Sequence, residues 1–215
     1  MPLAESAYII LRNMILTGEL PPESMITENS IVDRLAIGKT PVREAMRRLV
    51  LEGLLEVTPR LGYTVAAITR SDIDELFQLR EINEVAAALL AMDRLTAVQL
   101  DRLTELGSVG YAPDDRDSML DYLTVNAEFH DTIARASGNE RLATLLERLM
   151  QESRRFIQVA ILSDEHGQII IDQHIAIVEA LRASDRDALV DAVREHVLDG
   201  RSVTLDSFSA SRVTR

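Results

Sequence analysis

The chain has 215 residues, of which 47% are apolar and 27% charged, a composition typical of a globular protein. The absence of cysteine excludes a disulfide framework and a thiolate site and favours a cytoplasmic protein, and the absence of any run of about 18 apolar residues argues against a membrane span. The net charge of −12 at pH 7, taken alone, argues against nucleic-acid binding.

Charge is distributed unevenly along the chain. Residues 1–66 carry seven basic and eight acidic side chains, whereas the rest of the chain carries 16 basic and 27 acidic ones. A near-neutral first part and an acidic second part predict two domains with different partners, and the segment AAITRSD (66–72) is the best boundary between them. We therefore expect one domain over residues 1–68 and a second over residues 69–215.

The first part of the chain has the pattern of three helices followed by a hairpin. Thr40 is predicted to be the N-cap of the third helix, with Pro41 in its first position. Two short β-type runs flank a Pro-Arg-Leu-Gly turn, which is typical of a hairpin. The predicted elements are helices over residues 4–17, 28–36 and 41–52 and strands over residues 55–58 and 63–66. Three helices and a hairpin make a winged helix-turn-helix.

The third predicted helix has a basic face. Lys39, Arg43 and Arg47 are spaced at i, i+4 and i+8, while apolar side chains supply the opposite face. The start of a cationic helix can enter the major groove, where arginine or lysine binds guanine O6 and N7. A solvated face of a bundle helix is the alternative interpretation. The candidate DNA-binding residues are Lys39, Thr40, Arg43, Arg47, Arg48 and, in the hairpin turn, Arg60.

Residues 28–66 resemble the DNA-binding domain of the GntR family of bacterial transcription regulators, above all in the segment TPVREAMRRLVLEGLL (40–55). The resemblance implies that Arg43 and Arg47 contact the operator. Lys39 stands where the family usually has arginine, so it can contact phosphate or guanine but not in a planar, two-pronged way. Asn29 stands where relatives often have a basic residue, which removes one expected backbone contact.

The second part of the chain is helical in pattern almost to its end. The segment SDEHG (163–167) is expected to be a loop, and the polar tail 207–215 is expected to be frayed. The predicted fold class is therefore mainly α, with an N-terminal winged helix-turn-helix and a C-terminal all-α helical bundle. The predicted helices of the bundle lie near residues 71–92, 96–106, 116–137, 139–162, 168–183 and 185–206.

Three of the four histidines lie on the apolar faces of three different predicted helices. A single histidine of this kind is more often a hydrogen-bonded core residue, but three unrelated buried imidazoles would each lose their hydration. A shared divalent metal would satisfy His130, His174 and His196 together, and Asn126, one turn before His130, would add an amide oxygen. His166 falls in the predicted loop and is expected at the surface.

Segments of the second part are similar to the FCD ligand-binding domain of the FadR-type GntR subfamily. They are LFQLREINEVAAALLA (76–91), NAEFHDTIARASGN (126–139) and QHIAIVEALRASDRDALVDAVREHV (173–197). The resemblance implies a helical bundle over about residues 71–206 that commonly holds a divalent metal. The implied ligands are Asn126, His130, His174 and His196. Relatives frequently have aspartate in place of Asn126, so the affinity should be lower, but a nitrogen-rich set suits Zn²⁺ or Ni²⁺.

A metal with these four ligands would leave room for an effector oxygen, and its charge favours a carboxylate. Arg80 lies on the apolar stripe of its predicted helix with Glu84 one turn later. Either the two form an internal ion pair, or Arg80 binds an organic acid in two prongs. Arg154 is a weaker candidate for the same role. The predicted effector site therefore comprises Arg80, Glu84 and Arg154.

These features predict a transcription regulator rather than an enzyme. We expect a homodimer that binds a palindromic DNA operator, with an affinity that changes when a small organic acid binds at the metal, and no membrane partner. One alternative keeps the fold but makes the histidines the lining of a metal-free ligand cavity. A metal-dependent enzyme is disfavoured because there is no HExxH motif and because Glu128 points away from His130.

Overall fold

The computed structural model describes residues 1–112, 116–157 and 164–213, with the backbone alone at 116–117, 157, 164–165 and 210–213. The chain divides into two compact units, Met1–Thr69 and Arg70–Arg215, which we call the head and the body. None of the helices in the described ranges is long and apolar enough to cross a membrane.

The head contains three helices and a three-stranded antiparallel sheet with the order β1-β3-β2. Its elements are α1 (Leu3–Leu16), β1 (Met25–Ile26), α2 (Glu28–Leu35), α3 (Lys39–Leu51), β2 (Leu55–Thr58) and β3 (Gly62–Val65). The winged helix-turn-helix is therefore confirmed. The pairing of Met25 with Thr64 and of Ile26 with Tyr63 adds β1, which was not predicted because two residues are too few to show a strand period.

Helix α3 begins earlier than predicted. Its N-cap is Gly38, which places Thr40 and Pro41 in the second and third helical positions, so the prediction that Thr40 is the N-cap is wrong. Proline is accepted there because the first four amides of a helix have no partner within the helix. The apolar side of α3 packs against α1, where Leu11, Met46 and Leu49 are fully buried. The opposite side of α3 faces the solvent.

The body consists, in its described ranges, of six helices, which confirms the predicted helical bundle. They are α4 (Arg70–Ala91), α5 (Ala97–Gly107), α6 (Arg116–Ala136), α7 (Glu140–Ile157), α8 (Asp164–Ala183) and α9 (Arg186–Val213). Helix α4 packs against α6, α7 and α9, while α8 packs against α5 and α9. This packing gives α4, α6, α8 and α9 a common interior.

Two segments predicted to be irregular are helical. Helix α8 begins at Asp164, so the predicted loop at 163–167 is wrong and His166 lies half-buried on a helix. Gly167 is buried there because α8 closely approaches the backbone of Tyr111, a tertiary contact that outweighs the low helix propensity of glycine. Helix α9 continues to Val213, and the hydroxyl of Ser209 donates to the Leu205 carbonyl oxygen, a bond that a helix accommodates. The predicted end of α7 at 162 falls outside the described residues.

Candidate DNA-binding surface and metal centre

The predicted DNA-binding residues are exposed on the head. Lys39, Thr40, Arg43 and Arg47 lie on the solvent side of α3. Arg60 is exposed in the turn between β2 and β3, where its backbone has a positive φ of 69°. We call the four α3 residues the recognition face. Together with the turn, they can contact a groove of DNA and the phosphates that flank it.

Arg48 is separated from the recognition face by its contacts with α1. Its guanidinium carbon lies 3.5 Å from the centre of the Tyr8 ring, and its Nη1 donates to Glu5 Oε2 at 2.9 Å. Its Nε also donates to Glu52 Oε1 at 3.3 Å. These contacts engage Arg48 at the α1–α3 interface, although the residue is exposed, and its contact with DNA stays a prediction.

An acidic residue of α2, Glu28, contacts the recognition face, and no sequence pattern predicts this contact. Arg43 donates from Nε and Nη2 to the two carboxylate oxygens of Glu28, at 2.8 and 2.9 Å. Lys39 Nζ donates to Asn29 Oδ1 at 3.2 Å and lies 3.9 Å from Glu28 Oε2. The hydrogen bond from Arg43 lowers the pKa of Glu28, so this carboxylate is ionised at neutral pH.

The body brings together the three histidines predicted to bind a metal. His130 lies on α6, His174 on α8 and His196 on α9, and all three are buried. One ring nitrogen from each histidine lies within 4.8 Å of those of the other two. Such a convergence of three helices on one point is what a shared ligand requires.

The hydrogen-bond partners of His130 and His196 fix which ring nitrogens carry hydrogen. His130 Nδ1 lies 2.9 Å from Glu84 Oε2, and His196 Nδ1 lies 3.2 Å from Gln173 Oε1. Both partners are acceptors, so each Nδ1 is the donor, and in a neutral ring Nε2 then carries a lone pair. The two Nε2 atoms lie 3.3 Å apart. With these tautomers both Nε2 atoms are acceptors, which a cation bound between them would satisfy; with the other tautomer of one ring, its Nε2–H would donate to the other ring.

The rings of His174 and His196 resist protonation. Burial, and after it the neighbouring His130, lower the pKa of His196 to about 3. Burial also lowers the pKa of His174 well below its usual value. Both rings are therefore neutral at pH 7, and the neutral imidazole is the form that binds metals.

His174 supplies a direct sign of a missing partner. Its ring stacks on Phe129 with the centroids 4.2 Å apart, and only 1% of the residue is exposed. Among the described residues, neither of its ring nitrogens has a hydrogen-bond partner. A buried polar group without a partner costs about 1–3 kcal/mol. The three imidazoles therefore fit a divalent metal as a donor set.

A chain of buried polar residues connects His130 to α4 and α7. Glu84 accepts from Arg80 Nε at 2.7 Å through Oε1, and Arg80 Nη1 donates to Ser153 Oγ at 3.2 Å. Burial alone would raise the pKa of Glu84, but Arg80 and His130 more than offset this and lower it. Glu84 thus orients the imidazole of His130, as outer carboxylates orient metal-bound histidines. Arg80 and Glu84 therefore form the internal ion pair. Because Arg80 and His130 engage both carboxylate oxygens of Glu84, this residue is separated from the predicted effector site.

Asn126 lies one turn before His130 and is also buried. Its Oδ1 accepts a hydrogen bond from the Tyr122 hydroxyl at 3.2 Å. Burial raises the pKa of Tyr122, so the hydroxyl stays protonated and remains the donor. An amide oxygen has a second lone pair, which leaves Asn126 able to bind a metal as well.

Several cavities adjoin the histidines, and two of them also reach Asn126. The larger, about 400 Å³, lies between α6 and α7, and its lining includes Asn126, His130 and Arg154 together with apolar side chains. Arg154 Nε is buried and has no hydrogen-bond partner within the part of the chain that the structure describes. The smaller cavity, about 50 Å³, is lined by residues that include Arg80, Asn126 and His196. Asn126 thus lines both cavities.

Comparison with known proteins identifies both units. The family model of the bacterial regulatory proteins of the gntR family matches residues 3–65, and that of the FCD domain matches residues 75–199. The chain belongs to the GntR family. This GntR regulator is accordingly a DNA-binding transcription regulator with a ligand-sensing FCD domain, and the relatives that it matches are transcription regulators and not enzymes.

The relatives of this GntR regulator match it over nearly their whole length. It is 28% identical over 205 residues to the transcriptional repressor GlaR of Escherichia coli K12. This alignment covers 89% of the chain and 90% of GlaR. It is 27% identical over 193 residues to the uncharacterised regulator YdhC of Bacillus subtilis 168, covering 89% and 84%. The solved structure of E. coli McbR/YncC has the same fold, with a TM-score of 0.77 at 24% identity over 97% of this chain and 99% of that one.

Proposed function

We propose that this GntR regulator binds a small carboxylic acid at a divalent metal held by His130, His174 and His196. The observation that carries the proposal is the set of three buried imidazoles, two with their Nε2 atoms 3.3 Å apart and one whose ring nitrogens have no partner among the described residues. Such a nitrogen-rich set favours Zn²⁺ or Ni²⁺. When bound, the metal would supply a positive charge that attracts a carboxylate oxygen.

The chain's own residues prepare the site for that ion. Glu84 and Gln173 hold the rings of His130 and His196 so that both Nε2 atoms point at the same place. We assign the fourth ligand to Asn126, whose oxygen Tyr122 orients by its hydrogen bond. A metal that accepts five or six ligands would then keep open positions for the effector.

The cleft between α6 and α7 is the proposed place for the rest of the effector. Its volume of about 400 Å³ is within the range of small-molecule sites. Its lining combines apolar side chains with two arginines, Arg135 and Arg154, and with three acidic residues, Glu128, Asp131 and Glu147. Arg154 lines the cleft with a buried, unpartnered Nε, so a second acidic or polar group of the effector would satisfy it. Arg80 lines the smaller cavity, and its Nε stays bonded to Glu84.

A melting screen of organic acids tests this assignment. We expect some mono- or dicarboxylic acids to raise the melting temperature of the Zn²⁺- or Ni²⁺-loaded protein, because a ligand that binds only the folded state stabilises it. The same acids should have no effect after the metal is removed with a chelator. Equal shifts with and without metal would instead support the metal-free ligand cavity.

On the DNA side, we propose that Lys39, Thr40, Arg43 and Arg47 contact the operator in the major groove and that Arg60 contacts its backbone or minor groove. A recognition helix reads only a half-site, so a homodimer on a palindromic operator is proposed. We further propose that the protein acts in the cytoplasm and that it is a repressor, as its relative GlaR is named. Effector binding would then change its operator affinity.

A stripe on α4 is the proposed dimer surface. Leu79, Ile82, Ala86 and Leu90 are exposed, and their spacing puts them on one face of the helix. An apolar stripe of this kind is typical of an interface, and a second copy of the chain, required by the palindromic operator, is its proposed occupant.

Ile82→Glu is expected to convert the dimer into a monomer, because it places a charge at the centre of the stripe. Light scattering coupled to gel filtration measures the change. Val98→Glu is the matched control, since Val98 is 78% exposed on α5 and lies outside the stripe. A monomeric wild-type protein, or an Ile82→Glu protein that stays dimeric, would show that the stripe is not the interface.

A further inference from the structure

The contact between Glu28 and Arg43 holds one edge of the arginine and leaves another free. Nε–H and one Nη2–H bind the two carboxylate oxygens of Glu28. A guanidinium has five N–H groups in a fixed plane, so Nη1–H and the second Nη2–H remain as a parallel pair at its tip. Such a pair matches O6 and N7 of a guanine in the major groove.

Glu28 also weakens the attraction of the recognition face for DNA phosphates. It lies at the start of α2, with its carboxylate against the recognition face and within 3.9 Å of Lys39 Nζ. Its negative charge offsets part of the attraction that Arg43 and Lys39 exert on any DNA backbone. An arginine already held in one orientation also loses less side-chain entropy when it binds a base. Both effects favour the correct base over DNA in general.

We propose that Glu28 is a specificity-determining residue, which positions the tip of Arg43 for guanine and weakens sequence-independent binding to phosphates. This inference rests on the proposed operator contact of Arg43. It assigns the reading of sequence to a pair of residues on two helices, α2 and α3. Arg43 is the reading residue, and Glu28 is its positioning residue.

The test begins with a DNA site selected by the wild-type protein from a randomised duplex library. Fluorescence anisotropy then gives the Kd for that site, for the same site with one G·C pair at a time replaced by A·T, and for an unrelated duplex. Arg43→Ala identifies the base pair that Arg43 reads, because only there should the variant lose discrimination. The wild-type ratio of Kd values at this pair is the reference.

Glu28→Gln is expected to lower the ratio of unrelated-duplex to selected-site Kd about ten-fold or more. The unrelated duplex should bind more tightly, with a salt dependence steeper by up to about one phosphate contact. Glu44→Gln is the matched control, because it removes the same charge from an exposed position on α3, and Glu44 is not the partner of Arg43 in the described structure. It should change both Kd values by a similar factor. Glu28→Asp keeps the charge but moves the carboxylate away from Arg43, since its side chain is one methylene shorter. It should therefore lower the ratio of Kd values without making the protein bind the unrelated duplex more tightly.

The outcomes separate the two claims. If Arg43→Ala leaves both Kd values unchanged, the operator contact itself is wrong and the inference fails with it. If Arg43→Ala weakens binding but Glu28→Gln and Glu28→Asp keep the wild-type ratio, or Glu28→Gln behaves like Glu44→Gln, only the positioning role of Glu28 is overturned. A loss of ratio in both Glu28 variants, with melting temperatures near that of the wild type, supports the role.

Discussion

Replacing His174 by leucine is expected to change stability in opposite directions with and without a divalent metal. Without metal, the leucine removes two buried ring nitrogens that have no partner among the described residues, at a similar side-chain volume. The metal-free variant should therefore be as stable as the wild type or up to about 1–3 kcal/mol more stable. With metal, the variant lacks one of the three nitrogen ligands and should lose most of the stabilisation that metal gives the wild type.

The size of that stabilisation follows from the binding equilibrium. Metal at about a thousand times its Kd stabilises the folded state by about 4 kcal/mol. For a chain of this length, each kcal/mol shifts the melting temperature by about 2–4 °C, so the wild type should gain about 8–16 °C. Differential scanning calorimetry with and without Zn²⁺ or Ni²⁺ measures both proteins.

His166→Leu is the matched control for His174→Leu. His166 also lies on α8 and is half-buried, but it is not one of the three converging histidines. The control should keep the full metal-dependent shift. A His174→Leu protein that still gains the wild-type shift, or one that is strongly destabilised in the absence of metal, would contradict the assignment of His174 as a ligand.

Arg43→Ala is expected to weaken binding to the selected operator about ten-fold to a hundred-fold. The variant loses both the fork that binds guanine and one positive charge near the phosphates. Discrimination should fall at one base pair, and the salt dependence should become shallower by up to about one phosphate contact. Anisotropy titrations at several salt concentrations measure both effects.

Arg48→Ala provides the contrast. The side chain of Arg48 is engaged by Tyr8, Glu5 and Glu52, so its loss should lower the melting temperature of the head while leaving base discrimination unchanged. If Arg48→Ala relaxed the sequence preference and Arg43→Ala did not, the roles given to the two arginines would have to be exchanged.

The sequence was sufficient to predict the elements whose periodicity is strong. The basic spacing of Lys39, Arg43 and Arg47 on an otherwise apolar helix predicted the exposed face of α3, and the hairpin followed from its turn residues. The three histidines could be predicted to meet because each interrupts an apolar stripe, and stripes of different helices face one core. Each of these predictions follows from a local pattern and does not depend on the details of side-chain packing.

What could not be predicted depends on contacts between distant segments. Nothing local in the sequence pairs Glu84 with His130, or Glu28 with Arg43, because each pair joins two helices. The start of α8 was missed because glycine is a poor helix former, whereas a Cβ at Gly167 would lie only 3.2 Å from the Tyr111 carbonyl oxygen, which favours glycine there. The contacts of Arg48 could not be predicted either, because its partners Tyr8 and Glu5 lie on α1.

The metal content of the protein, purified without a histidine tag and without added chelator, tests the central claim most directly. Elemental analysis of the wild type should give about one equivalent of Zn or Ni per chain, and the His174→Leu protein should retain much less. This expectation rests on the nitrogens of His174, which have no partner among the described residues, and on the Nε2 atoms of His130 and His196, which lie 3.3 Å apart. Less than about a tenth of an equivalent in the wild type, together with a melting temperature that added metal does not change, would contradict the metal centre.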